Sequence, residues 1–436
     1  MPTPSVPPGP RYPRPLQTLG WLTRPGPWME RCRDRYGDTF TLRVAQEGIW
    51  VLVSDPEAVR QVFTGDPRLL HAGEANLVLR PILGPNSVLL LDDQPHLTQR
   101  KLLLPPFHGE RMKRYEALMT EVAEREVAGW PSGEPMAIAP RMQALTLEII
   151  LRAVFGLEPG ERLDRMRAML GGMMDWMTRP SRFVLMSTVG PARIERLGFF
   201  RRVLEPVDEL LIDEIRARRA DPRSAERDDI LSLLVSATHE DGSPMSDREL
   251  RDELITLLVA GHETTATSLS WAMERLLRTP AAWTRLRDEV AAGQDAYVDA
   301  TVKETLRLWP VLPLVVRKLL APMEIGGHHL PAGVSVSPCI YLMHRRPELY
   351  PDPTAFRPER FLDTQPGTYT WIPFGGGIRR CLGASFAQFE MQTVLKVLAR
   401  SSGLRASRPE RPERVQRRAI MLAPRDGAEV VLDRAA

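Results

Sequence analysis

Apolar residues recur at three- and four-residue spacing through residues 111–278, which predicts a run of amphipathic helices. That period breaks at Pro131-Ser132-Gly133, Glu158-Pro159-Gly160, Pro180, Gly190-Pro191 and Asp221-Pro222. Upstream, residues 39–44 and 49–54 read as two strands around the turn Gln46-Glu47-Gly48. Beyond about Pro322 the texture changes. Short β-type runs at 324–325 and 334–336 alternate with prolines and glycines, a helix follows Cys381 to about Arg400, and residues 419–422 and 429–432 read as strands. Proline is so dense in residues 1–20 that this segment reads as an extended arm, not a helix. No internal repeat appears and no break is strong enough for a domain cut. The pattern predicts one domain over residues 1–436, mainly α with a smaller β portion.

One predicted helix departs from the rest. Ser246 and Glu249 form a capping box, and the helical pattern then continues to Arg278 before Thr279-Pro280. That is about 32 residues, or roughly 48 Å, enough to cross the whole molecule. Its centre should be buried, yet it reads Ala260-Gly261-His262-Glu263-Thr264-Thr265. A glycine inside a helix costs about 1 kcal/mol, and buried carboxylates and hydroxyls cost more unless bonded. Local rules broken in mid-core mark a functional segment. The structural alternative is a bend stabilised by threonine bonding back to the helix.

Composition narrows the classes. Apolar residues make up 43% and charged residues 26%, so a globular protein with a large core is expected. A net charge of +3 is too small to imply a nucleic-acid partner. Five lysines stand against 53 arginines, a compositional bias. The three cysteines, Cys32, Cys339 and Cys381, are far apart and odd in number. They predict a reducing, cytoplasmic setting and no disulfide framework. No apolar run has signal or membrane length, so no membrane anchor is expected.

Cys381 stands apart from the other two. It follows Phe374-Gly375-Gly376-Gly377-Ile378-Arg379-Arg380 and directly precedes the apolar helix. Backbone amides and a helix start both favour negative sulfur there. The glycines do not make a phosphate loop, because no Lys-Ser/Thr follows. Glycine also lets backbone approach a flat ligand closely, and arginine suits carboxylates on that ligand. A flat, carboxylate-bearing ligand whose metal takes thiolate is haem. A buried structural thiol is the alternative.

The stretch resembles the haem-binding signature of the cytochrome P450 family, Phe-x-x-Gly-x-Arg-x-Cys-x-Gly, with Phe374, Gly377, Arg379, Cys381 and Gly383 at its fixed positions. Glu304-Thr305-Leu306-Arg307 resembles the family's Glu-x-x-Arg, and Phe356-Arg357-Pro358-Glu359-Arg360-Phe361 its following arginine motif. The resemblance implies a structural ion network of Glu304, Arg307 and Arg360. Asp93-Gln94-Pro95-His96-Leu97-Thr98-Gln99-Arg100 resembles the family's His-x-x-x-Arg. His96 and Arg100 share a helix face, and with Arg317 and Arg379 the resemblance makes them ligands of the haem propionates. Residues 260–265 match the family's oxygen-binding motif. Ala260 and Thr264 then share the face over the haem, with Glu263 rotated away as a proton carrier and His262 incidental.

The family's fold and chemistry follow as expectations. The long helix crosses over haem b (iron protoporphyrin IX), with the Cys381 thiolate as axial ligand and Thr264 and Glu263 as the catalytic pair. The expected activity is a monooxygenase that hydroxylates or epoxidises an apolar fatty acid, terpenoid, steroid or similar molecule. No flavin, nicotinamide or iron–sulfur motif appears. Electrons are therefore expected from a ferredoxin or flavodoxin with an NAD(P)H-dependent reductase, docking on a basic face that includes Lys101, Arg111, Lys113, Arg114 and Arg380, and a monomer is expected. The resemblance puts pocket residues at 75–88, 182–186, Ala260, Thr264, 311–316, Ile420 and Met421. Arg80 and Arg182 are candidates for a substrate carboxylate, and surface placement is the alternative for both. Two other readings stay open: a hydrogen peroxide-dependent peroxygenase and a non-catalytic haem ligand-binding protein.

Overall fold

A computed structural model describes residues 5–45, 48–107, 111–179, 182, 189–195, 197–401 and 403–434. The long helix is Asp247–Arg278, 32 residues, and its capping box forms: Ser246 Oγ accepts from Glu249 N at 3.2 Å and Glu249 Oε2 accepts from Ser246 N at 2.7 Å. Leu254, Leu258, Leu269, Trp271 and Leu276 are fully buried along its length. It packs against helices Ile138–Phe155, Gly198–Ala220, Ala296–Leu308 and Ala384–Arg400. Gly261 meets Ile150 of the first of these. A methyl group there would lie 3.3 Å from Ile150 Cδ1, so the mid-helix glycine lets the two axes close.

The β portion lies mostly at the two ends of the sequence. One sheet runs Thr39–Val44, Gly48–Val53, Ser335–Pro338, Arg317–Leu319, Leu70–His71. Only the Gly48–Val53 and Ser335–Pro338 pair is parallel, in the register Val51↔Val336. A second sheet pairs Glu429–Leu432 with Pro135–Ala137 and Leu404–Ala406. The turn residues Gln46 and Glu47 and the break at Pro180 lie outside the described residues. Among the described residues no helix is long and apolar enough to cross a membrane.

Two expectations change. The arm is extended only to Pro13, and Arg14–Thr23 and Pro25–Tyr36 are helices. Proline in the first turn of each is compatible with a helix start, and Gln17 ties the first to the arm by donating to Pro10 O at 3.0 Å and Tyr12 O at 2.7 Å. In the tail, residues 419–422 are not one strand. Val415–Arg418 and Met421–Pro424 pair antiparallel, with Arg418 opposite Met421, and Ala419 takes a left-handed φ of 53° in the turn between them. Alternation alone does not reveal a two-residue turn made without glycine.

Candidate functional site

The polar centre of the long helix splits into faces. Ala260 is exposed and Thr264 partly so, whereas His262, Glu263, Thr265 and Ala266 are buried. The Thr264 hydroxyl donates to Ala260 O at 2.6 Å, which leaves its lone pairs as acceptors toward the open side. Glu263 points the other way. Gln143 Nε2 donates to its carboxylate at 3.2 and 3.3 Å, and Arg418 pairs with it at 3.0 Å. Burial pushes the Glu263 carboxyl up, and Arg418 and then Gln143 oppose that rise. His262 is not incidental: its Nε2 contacts Gln143 O at 2.9 Å, and Thr146 Oγ1 donates to its carbonyl at 3.2 Å. Burial lowers its pKa to about 4, so it bridges two helices as a neutral ring. Nothing local marked Gln143 or Arg418, which lie 120 and 155 positions from Glu263.

The cysteine loop is closed at its base by Cys381 N donating to Phe374 O at 3.0 Å. Gly375 and Gly377 adopt φ of 66° and 65°, and any side chain at Gly377 would overlap the Phe63 carbonyl. Those two glycines are therefore required by backbone shape and close approach. Gly383 has an ordinary φ of −84° and precedes the helix Ala384–Arg400. That helix packs on the long one, and burial pushes the carboxyl of Glu390 well above the usual carboxylate range while its bond to Thr265 opposes the rise. Cys381 is solvent-accessible, but the protein crowding around it desolvates the sulfur and raises the thiol pKa. The Gly383 amide, Arg380 and Arg100 pull it back only in part. The haem-free loop therefore favours the thiol, while the Gly383 amide, Arg380 and Arg100 act in the expected direction and lower the cost of the thiolate by which the family holds haem. A bound metal must complete that step.

His96, Arg100, Arg317 and Arg379 come together. His96 feels the charge of all three arginines, and with burial they lower its pKa to about 3. His96, Arg317 and Arg379 line one cleft with Phe63 and Gly376. His96 Nδ1 is buried without a hydrogen-bond partner. Arg379 is already engaged: it donates to Val88 O at 3.0 Å and to Leu91 O, and pairs with Asp92. Asp92, invisible to motif reading, also accepts from the amides of Ala72, Gly73 and Glu74 at 2.9–3.0 Å.

The Glu304/Arg307 pair is fully buried, with contacts at 2.6 and 2.8 Å, and Arg360 reaches Glu304 at 3.3 Å. Arg307 also donates to the carbonyls of His344, Pro353 and Ala355. His344 was not anticipated. Its Nδ1 meets Arg307 O at 3.2 Å and its Nε2 accepts from Ile372 N at 2.9 Å, which ties this network to the cysteine loop.

Among the pocket candidates, the 75–88 loop is latched to the long helix. Asp252 accepts from Asn86 N at 3.0 Å, and Glu253 Oε1 from Val88 N at 2.8 Å. Burial raises the Glu253 pKa to about 8, so the folded protein holds it protonated at neutral pH. A raised folded-state pKa in an acid costs stability as pH rises from the unfolded value, near 4.5, to the folded one. Glu253→Gln should therefore leave stability unchanged near pH 4 and raise it relative to wild type increasingly up to pH 8, by up to about 1.4 kcal/mol per pH unit, with the melting temperature following. Thermal melts of the two proteins across that range check this, and a constant offset would contradict it. Arg80 is exposed and 3.5 Å from Glu195, and Arg182 lies over Trp176 and Phe199 at 5.0 and 5.4 Å. Val311 and Met421 are buried, and Ile420 is 40% exposed. Residues 183–186 and the side chains of Arg111, Lys113 and Arg114 lie outside the described residues. Lys101 is exposed and paired with Glu240 at 2.9 Å, and Arg380 is exposed.

The family model described as Cytochrome P450 matches residues 7–427. Putative cytochrome P450 135B1 of Mycobacterium bovis is 43% identical, over 98% of this chain and 91% of its own length. Putative cytochrome P450 137 of Mycobacterium tuberculosis is 40% identical, over 92% and 84%. Among solved structures, retinoic acid-bound cyanobacterial CYP120A1 superposes with a TM-score of 0.84 at 26% identity, covering 98% of this chain and 99% of that one. The haem domain of cytochrome P450DA, at 23% identity and a TM-score of 0.81 over 99% and 98%, shares the fold. Proteins of this family bind haem through a cysteine thiolate. The residues present fit that group: an accessible cysteine beside a glycine turn with no room for side chains, and a cationic cleft with an orphaned imidazole nitrogen. A match of this length and identity is decisive, and the chain belongs to the cytochrome P450 family.

Proposed function

We propose that this P450 monooxygenase oxidises an apolar small molecule by hydroxylation or epoxidation, drawing electrons from a separate ferredoxin or flavodoxin and its NAD(P)H-dependent reductase. Cys381 would supply the axial thiolate. His96, Arg100, Arg317 and Arg379 would hold the propionates, Arg379 by exchanging part of its present bonding with Asp92 and the loop carbonyls. When bound, the haem supplies dioxygen binding and O–O cleavage, with the thiolate donating electron density. The protein's part is to deliver protons. The observation that carries this reading is the division of labour in mid-helix: the Thr264 hydroxyl, its hydrogen on Ala260 O, presents acceptor lone pairs to the open face, and Glu263 sits one residue away on a polar path leading outward through Arg418. A hydroxyl can orient a water and a carboxyl can resupply its proton. Retinoic acid in the cyanobacterial relative is an apolar chain ending in a carboxylate, which supports a lipid-like substrate. Arg380, exposed beside Cys381, supports partner docking on that side.

Thr264→Ala should retain haem and substrate binding but give roughly 10-fold less product per NAD(P)H, with the difference appearing as hydrogen peroxide. Glu263→Gln should slow turnover about 100-fold, within the range for lost acid–base catalysis. Product and peroxide yields from haem-loaded protein with a surrogate ferredoxin system measure both. Wild-type coupling in both variants would remove the proton-delivery role of this pair, and product from hydrogen peroxide with none from ferredoxin and NAD(P)H would replace this reading with a peroxygenase.

A further inference from the structure

Arg100, Arg317 and Arg379 bring three guanidinium charges to one place. All three act on His96, which stays neutral, and Arg379 acts on Arg317. Arg317 is buried, and its Nη1 donates to the carbonyl of its own neighbour, Val316, at 2.8 Å. Like charges held this close in a partly buried site repel strongly unless an anion lies among them. Asp92 is that anion. It lines the same cleft, pairs with Arg379, and acts on Arg317 with the opposite sign to Arg379. It is also fixed from behind. The amides of Ala72, Gly73 and Glu74 hold both of its oxygens, and any side chain at Gly73 would overlap Leu90 O and Asp92 Oδ2. Its neighbour Asp93 is exposed and lies 3.2 Å from His71 Nε2 instead.

We infer that Asp92 is an internal counter-ion that takes the place of a haem propionate on Arg379 until haem loads. This rests on the role proposed above for the three arginines. Three guanidiniums against Asp92 and two propionates sum to zero charge. Before loading, Asp92 leaves two of the three positive charges uncompensated, and without Asp92 all three would be. Asp92 therefore stabilises the haem-free site more than the loaded one. After loading, Arg379 divides its donors between two carboxylates, and part of its bonding to Asp92 is given up. The residue that keeps the arginines together beforehand thus also competes with haem for one of them.

Asp92→Asn separates this role from that of a loop tie, because its amide oxygen can still accept from Ala72 N and Gly73 N. The melting temperature of the haem-free variant should fall by a few degrees, and that of the haem-loaded variant by less. The thermodynamic cycle then requires tighter binding, and a spectrophotometric haem titration should show it as about a 10-fold gain in affinity. If the haem-free variant does not fold, the loaded full chain still reports: transfer of haem to excess apomyoglobin should be about 10-fold slower than from wild type. Equal losses in both melts with unchanged affinity would make Asp92 a structural tie of the loop. Faster haem release would make it a support that holds Arg379 in place. Either result overturns the counter-ion. Wild-type haem release from Arg379→Gln would instead remove the reading on which it rests.

Discussion

Arg307→Met should destabilise the fold by about 3–5 kcal/mol, the cost of leaving one member of a buried ion pair unpaired. Against a total of about 5–15 kcal/mol for a folded domain, that removes a large share of the margin, so the folded, haem-loaded yield at 37 °C should fall. The geometry also predicts an asymmetry. Removing Arg307 leaves the Glu304 carboxylate with Arg360 at 3.3 Å and the Arg357 amide at 2.8 Å, and strips three carbonyls of their donor. Glu304→Gln leaves the guanidinium those same three carbonyls and one amide oxygen, so it should cost less than Arg307→Met. The double variant should cost less than the sum, because neither charge is then orphaned. Urea midpoints of the four proteins close this cycle. Equal single costs with full additivity would show that the pair does not act as a unit. Since His344 joins Arg307 O to Ile372 N, the strain should reach the cysteine loop and appear first as lost haem.

Local chemistry made part of this site readable. A capping box and an unbroken period set the limits of the 32-residue helix, and both ends stand where the pattern put them. Glu304 and Arg307 are three apart on one helix, so their contact follows from helix geometry alone. Gly377 could be read from its fixed place in the cysteine motif, and its φ of 65° and its approach to Phe63 give the physical reason that no other residue fits. What stayed hidden depends on the tertiary fold. Arg418 meets Glu263 across 155 positions and Asp92 meets Arg379 across 287, and no periodicity encodes such pairs. The surroundings of Cys381 were legible in part: its amides and arginines are visible in sequence, but the crowding that opposes them is not. The first helix was missed because Pro13 and Pro15 were read as breakers, although a proline at a helix start removes only a donor that has no partner there.

Cys381→Ser should leave the haem-free protein as stable as wild type and remove most of the stabilisation that haem provides. Without metal, the crowding around the sulfur favours the thiol, and a neutral thiol at a solvent-accessible position contributes little that a hydroxyl cannot. With haem, binding energy is folding energy, by RT ln(1 + [L]/Kd), so every tenfold loss of affinity removes about 1.4 kcal/mol. Serine is a far weaker acid than cysteine and a hard donor where the iron takes a soft one. The variant should therefore melt several degrees below wild type only when both are loaded with haem. Its reduced carbon monoxide spectrum should lose the long-wavelength thiolate band, and dioxygen-dependent product formation should fall to background. Thermal melts with and without haem separate a ligand from a structural cysteine, because a buried structural thiol would lower both melts equally. An unchanged carbon monoxide band in well-folded Cys381→Ser would place the axial ligand elsewhere, and with it the meaning of the glycine turn that holds this sulfur in position.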